Sequence, residues 1–110
     1  MLKVMAFLTK REGMQTQAFI EYYEKNHVPL ILSLAPSPII YRRNYLVRGD
    51  TLKEDGASDF DVVTELVFSD QAAYLAWGAR MGEQVVGDEL KFLDRSRTRS
   101  YVVEEYVTSQ

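Results

Sequence analysis

The sequence contains no cysteine and a single histidine, His27. The first absence removes disulfides, thiolate nucleophiles, zinc ribbons and iron–sulfur clusters. The second removes imidazole-rich metal sites. Basic charge is not in excess: 13 Lys and Arg against 16 Asp and Glu leave a formal net charge of -3. The basic patch on which a nucleic-acid or anionic-membrane binder depends is therefore missing, and neither partner is expected. No run approaches the ~20 apolar residues of a membrane span, and the apolar stretch within residues 1–10 is too short for a signal peptide. The expected location is the cytoplasm. Nothing matches a P-loop, a dinucleotide fingerprint, a serine elbow or a metal-binding histidine pair.

What is present is ordinary globular composition, 46% hydrophobic over 110 residues, enough for one domain spanning residues 1–110. Leu2 to Thr9 is apolar on both faces and reads as a covered strand. Lys10 to Gly13 turns the chain. From Gln15 or Thr16, with Thr16 a weak cap, the pattern becomes helical, with Phe19, Tyr22, Tyr23, His27 and Leu30 at three- and four-residue spacing. Pro29 predicts that this helix ends, kinks or changes register near His27. Ile39 to Arg48 reads as a second strand, and Gly49 to Ser58 as a polar connection that could serve as a lid. Phe60 to Phe68 is a third strand, with Phe60, Val62, Leu66 and Phe68 on one face and Asp61, Val63, Glu65 and Val67 on the other. Ser69 or Asp70 caps a helix through Tyr74 and Trp77. A short helix follows within Val85 to Asp94, and Arg97 to Val107 closes the chain as a fourth strand.

Strand, helix, strand, strand, helix, strand is the order of an α+β, ferredoxin-like βαββαβ domain: a four-stranded antiparallel sheet with its helices on one face. The other face would then expose a large apolar patch, and a homodimer through that sheet face would cover it.

His27 is the one side chain whose ordinary pKa suits proton transfer near neutrality. A histidine in the last turn of a helix can equally do no more than complement the helix dipole. Tyr41 and Tyr45 share a face of the second strand with Arg43; a phenol can hydrogen-bond a developing oxyanion, or simply pack. Asp61 and Glu65 lie ~13 Å apart along the third strand, too far for a carboxylate dyad or a shared metal. Asp61 could orient His27, with solvent exposure the competing reading. Glu65 could be a base, with cross-strand pairing to an arginine the competing one. Trp77 could wall a pocket or belong to the core. The run Asp88 to Arg95 reads as a solvated helix with a greasy stripe.

Gly13-Met14 with Phe19, Tyr22, Tyr23 and Asn26-His27-Val28-Pro29-Leu30 resembles the opening of the EthD group of dimeric α/β-barrel proteins. Tyr41 to Tyr45, Asp61 to Phe68, Asp88-Glu89 with Phe92-Leu93-Asp94, and Val103-Glu104-Glu105 extend the resemblance over nearly the whole chain, with His-x-Pro-Leu its most specific element. The resemblance implies a sheet-to-sheet homodimer, a pocket between helices and sheet in each subunit, and no cofactor. It also implies a catalytic set of His27 and Tyr41, extended to Tyr45, Glu65 and Asp61. Tyr23, Asn44, Trp77 and Phe92 are the expected substrate contacts, and no residue is assigned to a metal.

The reading that follows is a cofactor-independent lyase or isomerase (decarboxylase, dehydratase, cyclase or lactone isomerase) acting on a small aromatic, polyketide-like or lactone substrate. A cofactor-free monooxygenase of electron-rich phenols stays open, and oxygen uptake separates it from the first. So does a non-catalytic binder of a hydrophobic metabolite, with haem as a variant, which would leave its ligand unchanged on long incubation.

Overall fold

The computed structural model describes residues 1–47 and 60–110. Four strands, β1 (Leu2–Leu8), β2 (Ile40–Tyr45), β3 (Val62–Phe68) and β4 (Arg99–Val103), form one antiparallel sheet in the order β2-β3-β1-β4. The helices are α1 (Thr16–Tyr22), α2 (Val28–Leu32), α3 (Gln71–Arg80) and α4 (Glu83–Glu89), with a 3-10 turn at Arg95–Arg97. This is the expected ferredoxin-like arrangement, α+β with one face of the sheet covered. The connection expected over Gly49 to Ser58, and Arg48 at the expected end of the second strand, lie outside the described residues.

Register decides which residues can meet. Val4 faces Leu66, Ala6 faces Thr64 and Leu8 faces Val62, and on the other side of β3 Tyr41, Arg43 and Tyr45 face the same three residues. With a strand period of two, all of these point toward the helices, whereas Lys3, Met5, Phe7, Arg42, Asn44, Val63 and Glu65 point away. Phe60 departs from its expected place on the core face. It precedes β3, and its ring packs edge-on against Phe7 of the open face at 5.2 Å. Thr64, which the alternation of apolar residues passes over, takes a buried core-facing position instead.

Residues 16–32 form one helical run interrupted by a π-helical turn, Tyr23–His27. Pro29 has no N–H to continue the α-helical ladder, and a wide turn is one way to absorb that loss. The Val28 N–H bonds the Tyr23 carbonyl five residues back. In a plain α-helix residues five apart point ~140° away from each other. The extra residue in the turn lets Tyr23, His27 and Val28 all be buried. The expected change of register near His27 is thus real, and Ile31 rather than Leu30 becomes the deeply buried residue after it.

The helix begins without a side-chain cap, with Gln15 at the N-cap position rather than Thr16. The turn before it uses Gly13 at φ 83 between Arg11 and Met14, a left-handed position that glycine adopts without a Cβ penalty. At α3 the Asp70 carboxylate accepts the Ala73 N–H at 2.8 Å, which settles the cap between Ser69 and Asp70.

Two apolar clusters fill the space between sheet and helices. One gathers Ala6, Leu8, Phe19, Tyr23, Val28, Val62, Phe92 and Leu93; the other gathers Val4, Ile31, Leu66, Phe68, Trp77 and Val85. Residues 92–94 are tied to the exit of β1 by Arg11 N–H to Phe92 O at 2.8 Å and Asp94 N–H to Thr9 O at 2.9 Å. On the open face Phe7, Phe60 and Tyr101 form an aromatic patch, with Tyr101 54% exposed.

Candidate active site

The buried histidine sits where the π-turn meets α2. His27 Nδ1 lies 2.8 Å from Asp88 Oδ2 in the last turn of α4, and Tyr22 Oη donates to Asp88 Oδ1 at 2.6 Å. Burial alone would raise the Asp88 carboxyl, but the bonds from Tyr22 and His27 and the charges of His27 and Lys91 outweigh it. Asp88 is held below the ordinary carboxylate range. A carboxylate accepts only, so Nδ1 carries the proton and Nε2 is left as the basic nitrogen. Nε2 has no hydrogen-bond partner among the described residues and is not sealed from solvent. The imidazole is also clamped from the side, 4.8 Å from the Phe92 ring and 5.6 Å from Tyr23. An aspartate on Nδ1 and two rings packed edge-on and tilted against the imidazole fix both tautomer and orientation.

His27 lines a cavity of about 280 Å³ at the seam between the two apolar clusters. Val4, Ala6, Leu8 and Leu66 floor it, Tyr74, Trp77 and Met81 wall it, and Tyr23, Tyr41 and Thr64 supply hydroxyls. Its exposed lining is polar: Arg95 and Ser100, with Glu89 and Thr98 beside them. Tyr41 Oη donates to Tyr23 Oη at 3.1 Å, and Tyr23 Oη is 2.7 Å from Thr64 Oγ1. Burial pushes the Tyr23 phenol up to about 12, against the smaller opposing effect of its bonds to Thr64 and Tyr41. Burial raises Tyr41 as well, reinforced by Tyr23 beside it. At neutral pH this chain of hydroxyls is therefore made of proton donors rather than bases.

Among the described residues Glu89 is the one carboxyl that lines the cavity. Burial raises its pKa against the attraction of His27 and of Arg95, whose Nε is 3.1 Å from Oε1. A carboxyl whose folded pKa lies above its unfolded value binds extra protons in the native state. Its contribution to stability is complete below the unfolded pKa and is lost as pH rises through the folded one. Glu89→Gln is accordingly expected to raise the melting temperature at pH 7 and to change it little at pH 4. A loss at pH 7 in paired thermal melts would mean that the Arg95 pairing outweighs burial.

Of the nine residues expected at the site, four line this cavity: His27, Tyr41, Tyr23 and Trp77. Phe92 is fully buried behind the imidazole, as support rather than lining. Tyr45 is turned to the helix face but donates to Glu24 Oε2 at 2.6 Å, in a cluster where Arg43 grips both Glu24 oxygens. Arg43, with help from Tyr45, overcomes burial and holds the Glu24 carboxyl below its ordinary value.

Glu65 and Asn44 lie on the opposite face of the sheet. Asn44 Nδ2 donates to Glu65 Oε2 at 2.9 Å, Lys3 Nζ is 2.7 Å from Glu65 Oε1, and Arg42 is at 4.0 Å. The Lys3 bond, followed by that of Asn44, lowers the Glu65 pKa, the opposite of what a base in a greasy pocket needs. Asp61 is buried, not exposed, and accepts the Lys10 N–H at 2.8 Å at the end of β1. The residue that orients His27 is Asp88.

Asp88, Glu89, Thr64 and Arg95 escape a reading by spacing. His27 and Asp88 are 61 positions apart, and the charges around Asp88 look like a solvated helix face. That expectation is corrected here: Asp88 holds the histidine, and the Glu89 side chain is 18% exposed. The signal for them in the sequence is the Asp88-Glu89 element of the family resemblance. Among the described residues no group of three or more His, Asp or Glu side chains is arranged to hold a metal ion, and no helix is long and apolar enough to cross a membrane.

Comparison with known proteins agrees with this architecture. The model of the EthD domain matches residues 11–96. The chain is similar to the crystal structure of an ethyl tert-butyl ether D (EthD) family protein from Bacillus halodurans, at 25% identity and a TM-score of 0.70, covering 96% of this chain and 99% of that one. It also shares its fold with a protein from Arabidopsis thaliana, at 15% identity and a TM-score of 0.65, each chain covered in full. No curated protein matches the sequence.

Proposed function

The chain belongs to the EthD domain family, and from its site we propose that it is a lyase or isomerase that moves a proton on a small aromatic, polyketide-like or lactone substrate. The observation that carries the reading is the pairing of Asp88 with Nδ1 of His27 on the wall of a largely apolar cavity. With Nδ1–H committed to the carboxylate, Nε2 is the nitrogen that accepts a proton from carbon. Asp88 stabilises the imidazolium that results. Negative charge then develops on the substrate oxygen as an enolate or phenolate. The Tyr41 hydroxyl, whose one O–H rests on Tyr23 Oη, is protonated and would turn that O–H to the oxyanion. The proton held on Nε2 of the imidazolium is the one returned to substrate later in the cycle.

The first half of such a reaction is observable without knowing the product. In D₂O, the wild-type protein should exchange the acidic carbon-bound hydrogen of a cyclic or aryl 1,3-dicarbonyl compound, followed by proton NMR. Exchange at the buffer rate across a panel of such compounds sinks the proposal.

The partner proposed for the open face is a second copy of the chain, because Phe7, Phe60 and Tyr101 leave an aromatic patch there that burial would stabilise. Sedimentation should show a dimer for the wild type and a monomer for Phe7→Asp. A monomeric wild type would remove the dimer from the proposal.

A further inference from the structure

The proposed chemistry draws on two elements: His27 ends the π-turn, Tyr23–His27, and Tyr41 stands on β2. A hydroxyl bond, Tyr41 Oη to Tyr23 Oη at 3.1 Å, joins the two. That bond opens when the Tyr41 O–H turns to a substrate oxyanion. Turn and strand are also joined by a second link, which does not depend on this hydroxyl.

The second link is built on Glu24, inside the turn. Arg43 of β2 grips its carboxylate in a fork, Nε to Oε2 at 2.9 Å and Nη2 to Oε1 at 2.6 Å. Tyr45 Oη adds a third bond, to Oε2 at 2.6 Å. The remaining guanidinium nitrogen, Nη1, donates to the Tyr41 carbonyl at 2.8 Å, and Cζ lies 4.8 Å from the centroid of the Tyr41 ring. Every guanidinium nitrogen of Arg43 is thus engaged with the turn or with Tyr41. Among the described residues this is the one ion pair between residues 16–32 and β2. Exposed ion pairs contribute little as a rule. A bidentate arginine–carboxylate pair, here with side chains 22% and 35% exposed, adds fixed geometry as well as energy.

Pro29 accounts for a break in the helical ladder, but it does not fix where the turn before it lies against the sheet. A π-turn is a rare interruption of an α-helix, and such turns gather at functional sites.

We propose that Glu24 is a positioning residue: locked to Arg43 and Tyr45, it holds the π-turn at a fixed place on β2. It thereby keeps His27 Nε2 and the Tyr41 hydroxyl in register while the bond between Tyr23 and Tyr41 opens. Glu24 does not line the cavity and acts only through the turn. The inference rests on the proposed function for the roles of His27 and Tyr41, whereas the geometry is tested without turnover.

The single histidine gives an unobscured readout, the ¹⁵N resonances of its ring. Glu24→Gln keeps the shape of the side chain but replaces one acceptor oxygen with a donor, so the fork of Arg43 loses a partner. The ring nitrogens should then move from their wild-type positions toward those of a tautomer mixture, as the His27–Asp88 bond of 2.8 Å slackens. Arg43→Lys keeps the charge without the fork, and should move them the same way by less. Val67→Ala separates position from stability, because Val67 is buried and pairs with Lys3 on the face of the sheet away from the helices. It should lower the urea midpoint and leave the ring nitrogens in place.

Ring nitrogens that stay still in Glu24→Gln overturn the proposal, whatever the loss of stability, and leave the clamp a plain structural tie. So does a shift in Val67→Ala as large as that in Glu24→Gln, because any loosening of the fold would then suffice. Where Glu24→Gln does not fold, Arg43→Lys decides by the same two criteria. Because no turnover is read, a failed exchange assay and a failed ring-nitrogen shift are distinguishable.

Discussion

His27→Ala is expected to lower turnover of an exchangeable substrate by ~10²–10⁴-fold, the usual contribution of a positioned acid–base group. Most of that loss should fall on kcat, because the Tyr23, Tyr41 and Trp77 walls of the cavity remain. Asp88→Asn makes the complementary test. It keeps the ring in place but loses the carboxylate that fixes Nδ1–H and stabilises the imidazolium, and supporting partners of this kind typically cost ~10–100-fold. With a single histidine in the chain, the ring nitrogens can be followed directly by ¹⁵N NMR. The wild type should show the proton on Nδ1 in the neutral form, and Asp88→Asn should shift the tautomer balance toward Nε2–H. Turnover of His27→Ala within twofold of wild type would remove the imidazole from the chemistry.

Phe92→Ala should be the most damaging single change to stability. The ring is fully buried and touches Phe19, Tyr22, Tyr23 and His27, at centroid distances of 5.8, 5.3, 5.3 and 4.8 Å. Truncating such a phenylalanine costs ~3–5 kcal/mol, a large part of the ~5–15 kcal/mol that holds a small domain folded. Urea denaturation should show the midpoint falling with little change in slope. Phe92→Leu, which refills most of the volume, should restore most of the loss and yet leave the imidazole less firmly held. Its activity should therefore recover less than its stability does. Equal recovery of both would show that Phe92 supports the fold alone.

Several elements are legible in the sequence alone. The alternation in residues 60–68, the proline at 29 and the Ser69-Asp70 pair each act through local backbone chemistry; a strand over Val62–Phe68, a register change at His27 and a cap at Asp70 form there. The histidine was legible too, because an imidazole on an apolar stripe is chemically conspicuous. Glu65 and Asn44 were misplaced for a definite reason. A strand pattern shows that two faces exist but not which one the helices will cover, and the Lys3 partner that neutralises Glu65 comes from β1, far away in sequence. Asp61 was misread because its partner is a backbone N–H at Lys10, which no side-chain pattern announces.

By itself, then, the order of residues determined the kinds of element, the βαββαβ plan and the presence of one inward imidazole, since each follows from local periodicity, turn chemistry and composition. Only the tertiary structure decided that Asp88 rather than Asp61 grips His27, that Glu65 lies behind the sheet, and that the Trp77 N–H is buried without a partner. Hydrogen bonds and burial act over a few ångströms through space, and the fold brings together residues that are sixty positions apart along the chain.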